Sequence, residues 1–172
     1  RHTIGRARHW HFLPALLWFL NGIAFVVVLF TTGEWSRLVP GSWAIVPAAW
    51  TDFVHYATFH IPPELGELPH YNALQQLSYF VVVFVMAPLS FLAALAMSPS
   101  LVGRFRWYPK LFGGRQQARS LHFVLLVGFT GFLLVHVFMV AVTGLSTNLN
   151  RIVVGNAMSG DRGLILALIG IA

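Results

Sequence analysis

The chain has 172 residues, of which 57% are hydrophobic and only 9% charged, with no cysteine and a formal net charge of +6; its mean hydropathy is +0.72. The apolar share lies far above, and the charged share far below, those of soluble domains. The length allows one domain, and the lack of cysteine excludes disulfides, thiolate metal sites and haem attached through a Cys-x-x-Cys-His pattern. The positive charge does not point to nucleic acid, because the basic residues are confined to loops between apolar segments, a distribution that a membrane explains.

A first apolar segment runs from about Trp10 to Thr31 ("WHFLPALLWFLNGIAFVVVLFT"). It exceeds the roughly 20 residues of helix that cross a bilayer. Pro14 is read as lying in the first turn of that helix, where proline is tolerated. Between Thr32 and His70 the pattern changes. Trp43, Val46, Trp50, Phe53, Val54, Ala57 and Ile61 recur at helical spacing, with Asp52, His55 and Thr58 between them. This is an amphipathic helix with tryptophans suited to a membrane interface, and the following "HIPPELGELPH" is a turn-rich break. A second segment, from about Tyr71 to Met97, is again long enough to span and carries Pro88 in its middle, which predicts a kink. A third runs from about Ser120 to Leu145, and "GLILALIGIA" from Gly163 rises only about 15 Å, which makes it the start of a further span. With Arg1 in place of Met and this short last run, the native polypeptide is expected to extend in both directions.

Charge supports three complete spans. One side of the membrane then carries Arg1, Arg6, Arg8, Arg104, Arg106, Lys110, Arg115 and Arg119; the other carries Arg37, Arg151, Arg162 and all five acids, Glu34, Asp52, Glu64, Glu67 and Asp161. Sending Ser42 to Ile61 across the bilayer would destroy that asymmetry, so this stretch is read as interfacial. The rule that basic loops stay inside places Arg1 and the Val102–Arg119 loop at the cytoplasm. The expected fold class is therefore all-α: a transmembrane helix bundle of three spans, an interfacial amphipathic helix and the beginning of another span.

Histidine placement carries the chemistry. His11 opens the first span and His122 opens the third, which runs in the same direction, so the two sit at the same depth on the basic side. His136 follows His122 by close to four helical turns, on the same face and about 21 Å deeper. Gly128 and Gly131 lie between them and are read as letting a large planar group approach the backbone. A membrane histidine can simply hydrogen-bond a neighbouring helix, but ionisable residues in lipid default to function. Neutral imidazole is a strong iron ligand, and haem b takes two axial ligands from facing helices. Zinc would need a tighter cluster, and a proton relay would need carboxylates that the spans lack. Arg115 and Arg119 are placed to pair with haem propionates. No phosphate loop, nucleophile elbow or HExxH motif gives the chain a catalytic site of its own. The competing reading is a haem-free anchor or transporter-like bundle with structural histidines.

Several stretches resemble the bacterial di-haem cytochrome b family that anchors formate dehydrogenases, nickel–iron hydrogenases and thiosulfate-reductase-type enzymes, in a branch found beside or fused to sulfite-oxidase-like molybdopterin domains. They are "HFLPALLWFLNG", "GEWSRLVP", "YNALQQLSYF", "AALAMSP", "LFGGRQQARSLHF" and "VHVFMV", covering most of Arg8 to Asn150. The resemblance implies haem ligation by His122 and His136, with His11 the partner of His122. The family's partner for the deeper histidine lies on a helix opening with Arg-x-x-His-Trp. Here "RARHW" matches it but puts His9 immediately before His11, at another depth than His136. The remaining ligand then comes from a helix outside these residues or from one of His55, His60 and His70 near the opposite interface, His60 first among them; the competing reading of each is a plain interfacial histidine. The resemblance also implies electron transfer between a redox partner subunit, or a fused molybdopterin-type domain, and quinone in the bacterial inner membrane. It places the Val102–Arg119 loop on the outer face, against the charge rule. "YNALQQ" borders a quinone pocket or is a solvated helix start.

Overall fold

The computed structural model describes residues 2–60, 71–155 and 160–171 and is all-α, with no strand among them. Three helical stretches are long and apolar enough to cross a membrane: His9–Thr31, Ala73–Met97 and Arg115–Val142. Most side chains of the first and third stay exposed, whereas those of the second are mostly half-buried; exposed apolar surface is what a helix presents when hydrocarbon rather than water is the solvent. The chain divides into two compact units, Arg1–Arg119 and Ser120–Ala172.

In the first unit, α1 spans His2–Thr31. Pro14 is thus well inside the helix, not in its first turn, because helical hydrogen bonding continues through the basic stretch upstream. Its missing N–H leaves the Trp10 carbonyl without an i+4 donor. After α1, the chain turns through Gly33 into a short 3-10 helix, Glu34–Arg37. Helix α2, Ile45–Ala57, has 13 residues, about 20 Å and too short to span.

The orientation of α2 is inside-out relative to a helix in water. Its packed stripe is Ile45, Ala49, Asp52 and Tyr56, while Trp43 before it and Val46, Trp50 and Phe53 within it are exposed, Trp50 by 65%. The polar groups are satisfied internally and the apolar ones face outward, as a helix lying in a membrane boundary requires.

The second span begins as α3, Ala73–Phe80. Asn72 caps it: the Gln75 N–H donates to Asn72 Oδ1 at 2.8 Å and the Asn72 N–H to Gln75 Oε1 at 3.2 Å, a reciprocal capping box. A π-helical turn, Val81–Met86, then leads into α4, Ala87–Met97, with Pro88 in its first turn. The π turn lies where the Pro88 ring would otherwise meet the carbonyl four residues back. Phe19 stacks on Phe91 at 3.9 Å and Phe30 meets Phe84 edge-on at 6.3 Å, so α1 and the second span run antiparallel. Ser90, Ala93 and Ala96 are buried on α4; small residues permit close approach where no hydrophobic effect drives helices together. Helix α5, Pro99–Arg104, and a 3-10 helix, Tyr108–Phe112, complete the loop to α6, Arg115–Val142.

In the second unit the long helix stops at Val142, and Gly144 turns the chain into α7, Leu145–Val153. Helix α8 spans Arg162–Ile171. Asn150, only 1% exposed, locks α7 to α8: its side-chain amide donates to the Gly160 carbonyl and its oxygen accepts the Gly163 N–H at 2.6 Å. Ser146 adds a bond to Asp161 at 2.8 Å.

Candidate functional site

Helix α6 has one packed side. Ala118 and Leu125 are buried, and Leu121, His122, Phe129, Phe132, His136, Met139 and Val140 are half-buried, while residues between them are exposed. The stripe repeats every three or four residues, which is one face of a helix. Both histidines therefore lie on the less exposed side of α6. They are about 40° apart around the axis and about 21 Å apart along it.

His136 is oriented by its neighbour. The Phe132 ring, one turn earlier, lies 5.6 Å from the imidazole centroid with planes 15° apart. A stacked ring pair of this kind favours that placement of the imidazole. His122 stands near the head of the helix, three residues after Arg119 and seven after Arg115. The Arg115 guanidinium donates to the Met97 carbonyl at 3.1 Å, capping the C-terminal end of α4, where a cation is favoured. Arg119 donates to Gln116 Oε1 at 3.3 Å. Each bond uses one of five guanidinium N–H donors and leaves others for an anion.

Gly128 and Gly131 fall elsewhere. Gly131 is half a turn round from His122, on the exposed side with open space at its Cα, and Gly128 is exposed too, about a third of a turn away. Helix geometry thus puts Gly131 away from the histidine stripe and Gly128 at its edge.

His11 is in α1, in the first unit, exposed, with its ring 5.8 Å from Phe12. His9 is also exposed, and two residues apart on a helix means nearly opposite faces. His55 is exposed on α2, and His60 ends the turn after that helix, its Nδ1 3.1 Å from the Thr58 hydroxyl. His70 lies outside the described residues.

Among the described residues no three His, Cys, Asp or Glu side chains converge as an all-protein metal cage would require. Haem makes a lighter demand. Its porphyrin supplies the equatorial nitrogens, so one imidazole from each of two helices suffices. The donor set, single histidines on long apolar helices with arginines near one end, fits that demand.

A second polar constellation escaped the sequence reading. At the head of the second span the Leu74 N–H donates to Asp52 at 3.2 Å, and the Asn72 amide donates to the Tyr56 hydroxyl at 2.7 Å. Gln76 reaches back to the Ser36 and Val39 carbonyls at 3.3 and 3.5 Å. "YNALQQ" is thus bonded to α2 and the preceding turn. Burial pushes the Tyr56 phenol above its usual value, the Asn72 hydrogen bond draws it partly back, and the Asp52 charge adds to the rise. The available signals were the i, i+4 spacing of Asp52 and Tyr56 and the Asn-x-x-Gln cap.

Over residues 1–155 the chain matches the family model of the prokaryotic cytochrome b561. It is 30% identical over 139 residues to a putative protein-methionine-sulfoxide reductase subunit, YedZ1, of Azospira oryzae; the match takes in 80% of this chain and 66% of that relative, so the chain spans just under two thirds of the relative's length. No solved structure matches the chain.

Proposed function

The chain belongs to the prokaryotic cytochrome b561 family, an integral membrane electron-transfer protein that takes haem b, and from that premise we propose that it is the haem-bearing membrane subunit of a two-component reductase. His11 and His122 would hold one haem b through their imidazoles. His136 ligates a second, whose other ligand comes from a helix outside these residues or from His60. Bound haem supplies a reversible one-electron couple whose potential is set by ligand, burial and nearby charge.

The chain's own part is to hold and insulate that couple. Phe132 stacks on the His136 imidazole, the apolar α6 stripe excludes water, and Arg115 and Arg119 pair with propionates on the basic side. Such a couple would pass electrons between the quinone pool of the bacterial inner membrane and a catalytic partner. By analogy with the Azospira relative that partner reduces methionine sulfoxide in proteins, and the family resemblance makes it a molybdopterin-type subunit or fused domain.

One observation carries this reading: both histidines of α6 share the packed stripe, about four turns apart, with Phe132 stacked on one of them. Pyridine haemochrome quantitation and low-temperature EPR of purified protein test it. Two low-spin bis-imidazole signals are expected. A preparation from haem-replete cells with no haem and an unchanged melting temperature would leave the histidines a structural role.

A further inference from the structure

We infer that the loop between the second and third spans is a binding pad for anionic phospholipid, with Arg106 and Lys110 taking the headgroup phosphate and Trp107 and Leu111 seated in the acyl boundary beside it.

The argument starts from the way the loop is folded. It does not project away from the helices it joins. The Tyr108 hydroxyl donates to the Leu92 carbonyl at 3.0 Å, and Leu92 lies five residues before the end of α4, about 7.5 Å back along its axis. Arg115 ties the far end of the loop to the Met97 carbonyl at 3.1 Å. Gly113 and Gly114, with φ of +78° and +118°, make the left-handed turn that brings the chain back. The 3-10 helix Tyr108–Phe112 therefore lies alongside the terminal turns of a membrane span, at headgroup depth.

That short helix has two faces. Tyr108, Pro109 and Phe112 are buried or half-buried on the side that packs on α4, whereas Trp107, Lys110 and Leu111 point outward, Trp107 57% and Leu111 69% exposed. Phe105 and Arg106, just upstream, are exposed as well. The outward face thus interleaves large apolar side chains with cations. No acid occurs anywhere between Ser98 and Arg119. Arg104 lies over the Phe105 ring at 6.0 Å, and Arg115 and Arg119 stand on α6, where their remaining donors are assigned to haem propionates. Arg106 and Lys110 remain for an external anion.

Such a face fits a lipid surface, where an indole and an aliphatic side chain enter the acyl boundary and cations meet phosphate above them. A docked acidic protein would satisfy the charges too. It is disfavoured by depth: a pad folded down beside the span is met from the side by lipid, not from above by a soluble partner.

Native mass spectrometry of the full chain released from nanodiscs of equal phosphatidylglycerol and phosphatidylcholine tests the proposal. Wild type is expected to retain phosphatidylglycerol preferentially. Each cation near an anionic surface is worth about fivefold, so Arg106→Gln with Lys110→Gln should reduce the preference at least tenfold without moving the melting temperature, since both side chains are exposed. Arg106→Lys with Lys110→Arg should keep it. The fluorescence difference between wild type and Trp107→Phe should be quenched by acyl-brominated phosphatidylglycerol and little by aqueous acrylamide. The proposal is overturned if wild type holds the two lipids equally, if the double glutamine variant keeps its preference, or if acrylamide reaches Trp107 freely. Loss of partner binding in that variant with lipid preference intact would reassign the pad to a protein.

Discussion

At the scale of single residues, the two imidazoles of α6 make separable predictions. His122→Ala should remove one haem and one low-spin EPR signal and leave the other; His136→Ala should do the reverse. Because the two stand about 21 Å apart, neither loss should propagate to the other haem. Retention of full haem content by His122→Ala would end the axial assignment. Asn72 is a structural counterpart. Replacing it with Ala removes both the α3 cap and the bond to Tyr56 and should cost about 1 kcal/mol or more in unfolding free energy. Tyr56 offers a pH readout, since its phenol is held above the ordinary 10.0 mainly by burial. The unfolded chain loses that proton first. The contribution of Tyr56 is therefore complete below pH 10 and declines as pH rises from there towards the folded value. The ultraviolet difference titration between wild type and Tyr56→Phe should show one phenol ionising above pH 10; ionisation at or below 10 would contradict it.

Among the elements, the α7–α8 hairpin is the most exposed to a single change. A Cβ on Gly163 would lie 2.5 Å from the Cα and N of Asn150, and both are backbone atoms that cannot swing away. Gly163→Ala should displace α8 from α7, cost about 1–3 kcal/mol and speed amide hydrogen exchange throughout Arg162–Ile171; unchanged exchange would refute the lock. Helix α2 shows how an element's face can be misassigned. Its apolar residues at helical spacing identify an amphipathic helix, but spacing does not say which face is packed. In water the face with Trp50 and Phe53 would be buried. Here Asp52 and Tyr56 are packed, because their hydrogen-bond needs are the costly ones in lipid.

For the whole molecule, the distribution of charge makes the topological prediction. Arg104, Arg106, Lys110, Arg115 and Arg119 form a loop without acids, which the positive-inside rule assigns to the cytoplasm. The chain has no cysteine, so Gly103→Cys, at an exposed position with open space around it, gives a single reactive thiol. An impermeant maleimide should leave it unlabelled in intact cells and label it after permeabilisation. Prompt labelling of intact cells would place the loop outside, as the di-haem cytochrome resemblance has it.

The sequence alone determined the class and the main chemical candidates. Three apolar stretches, acids kept out of them and two histidines close to four turns apart follow from helix periodicity and from the cost of charge in hydrocarbon, which act locally. Composition does not locate the start of α1, because continuation through "RHTIGRAR" depends on backbone bonding and not on hydrophobic pattern, so the pattern alone puts Pro14 in a first turn that the helix in fact begins well before. The Asp52–Leu74 and Tyr56–Asn72 bonds, the Asn150 clamp and the Tyr108 tie to Leu92 join residues ten to twenty-two positions apart. Only the tertiary structure decides those, because all but the exposed Tyr108 bond satisfy polar groups that the fold itself has partly or wholly buried.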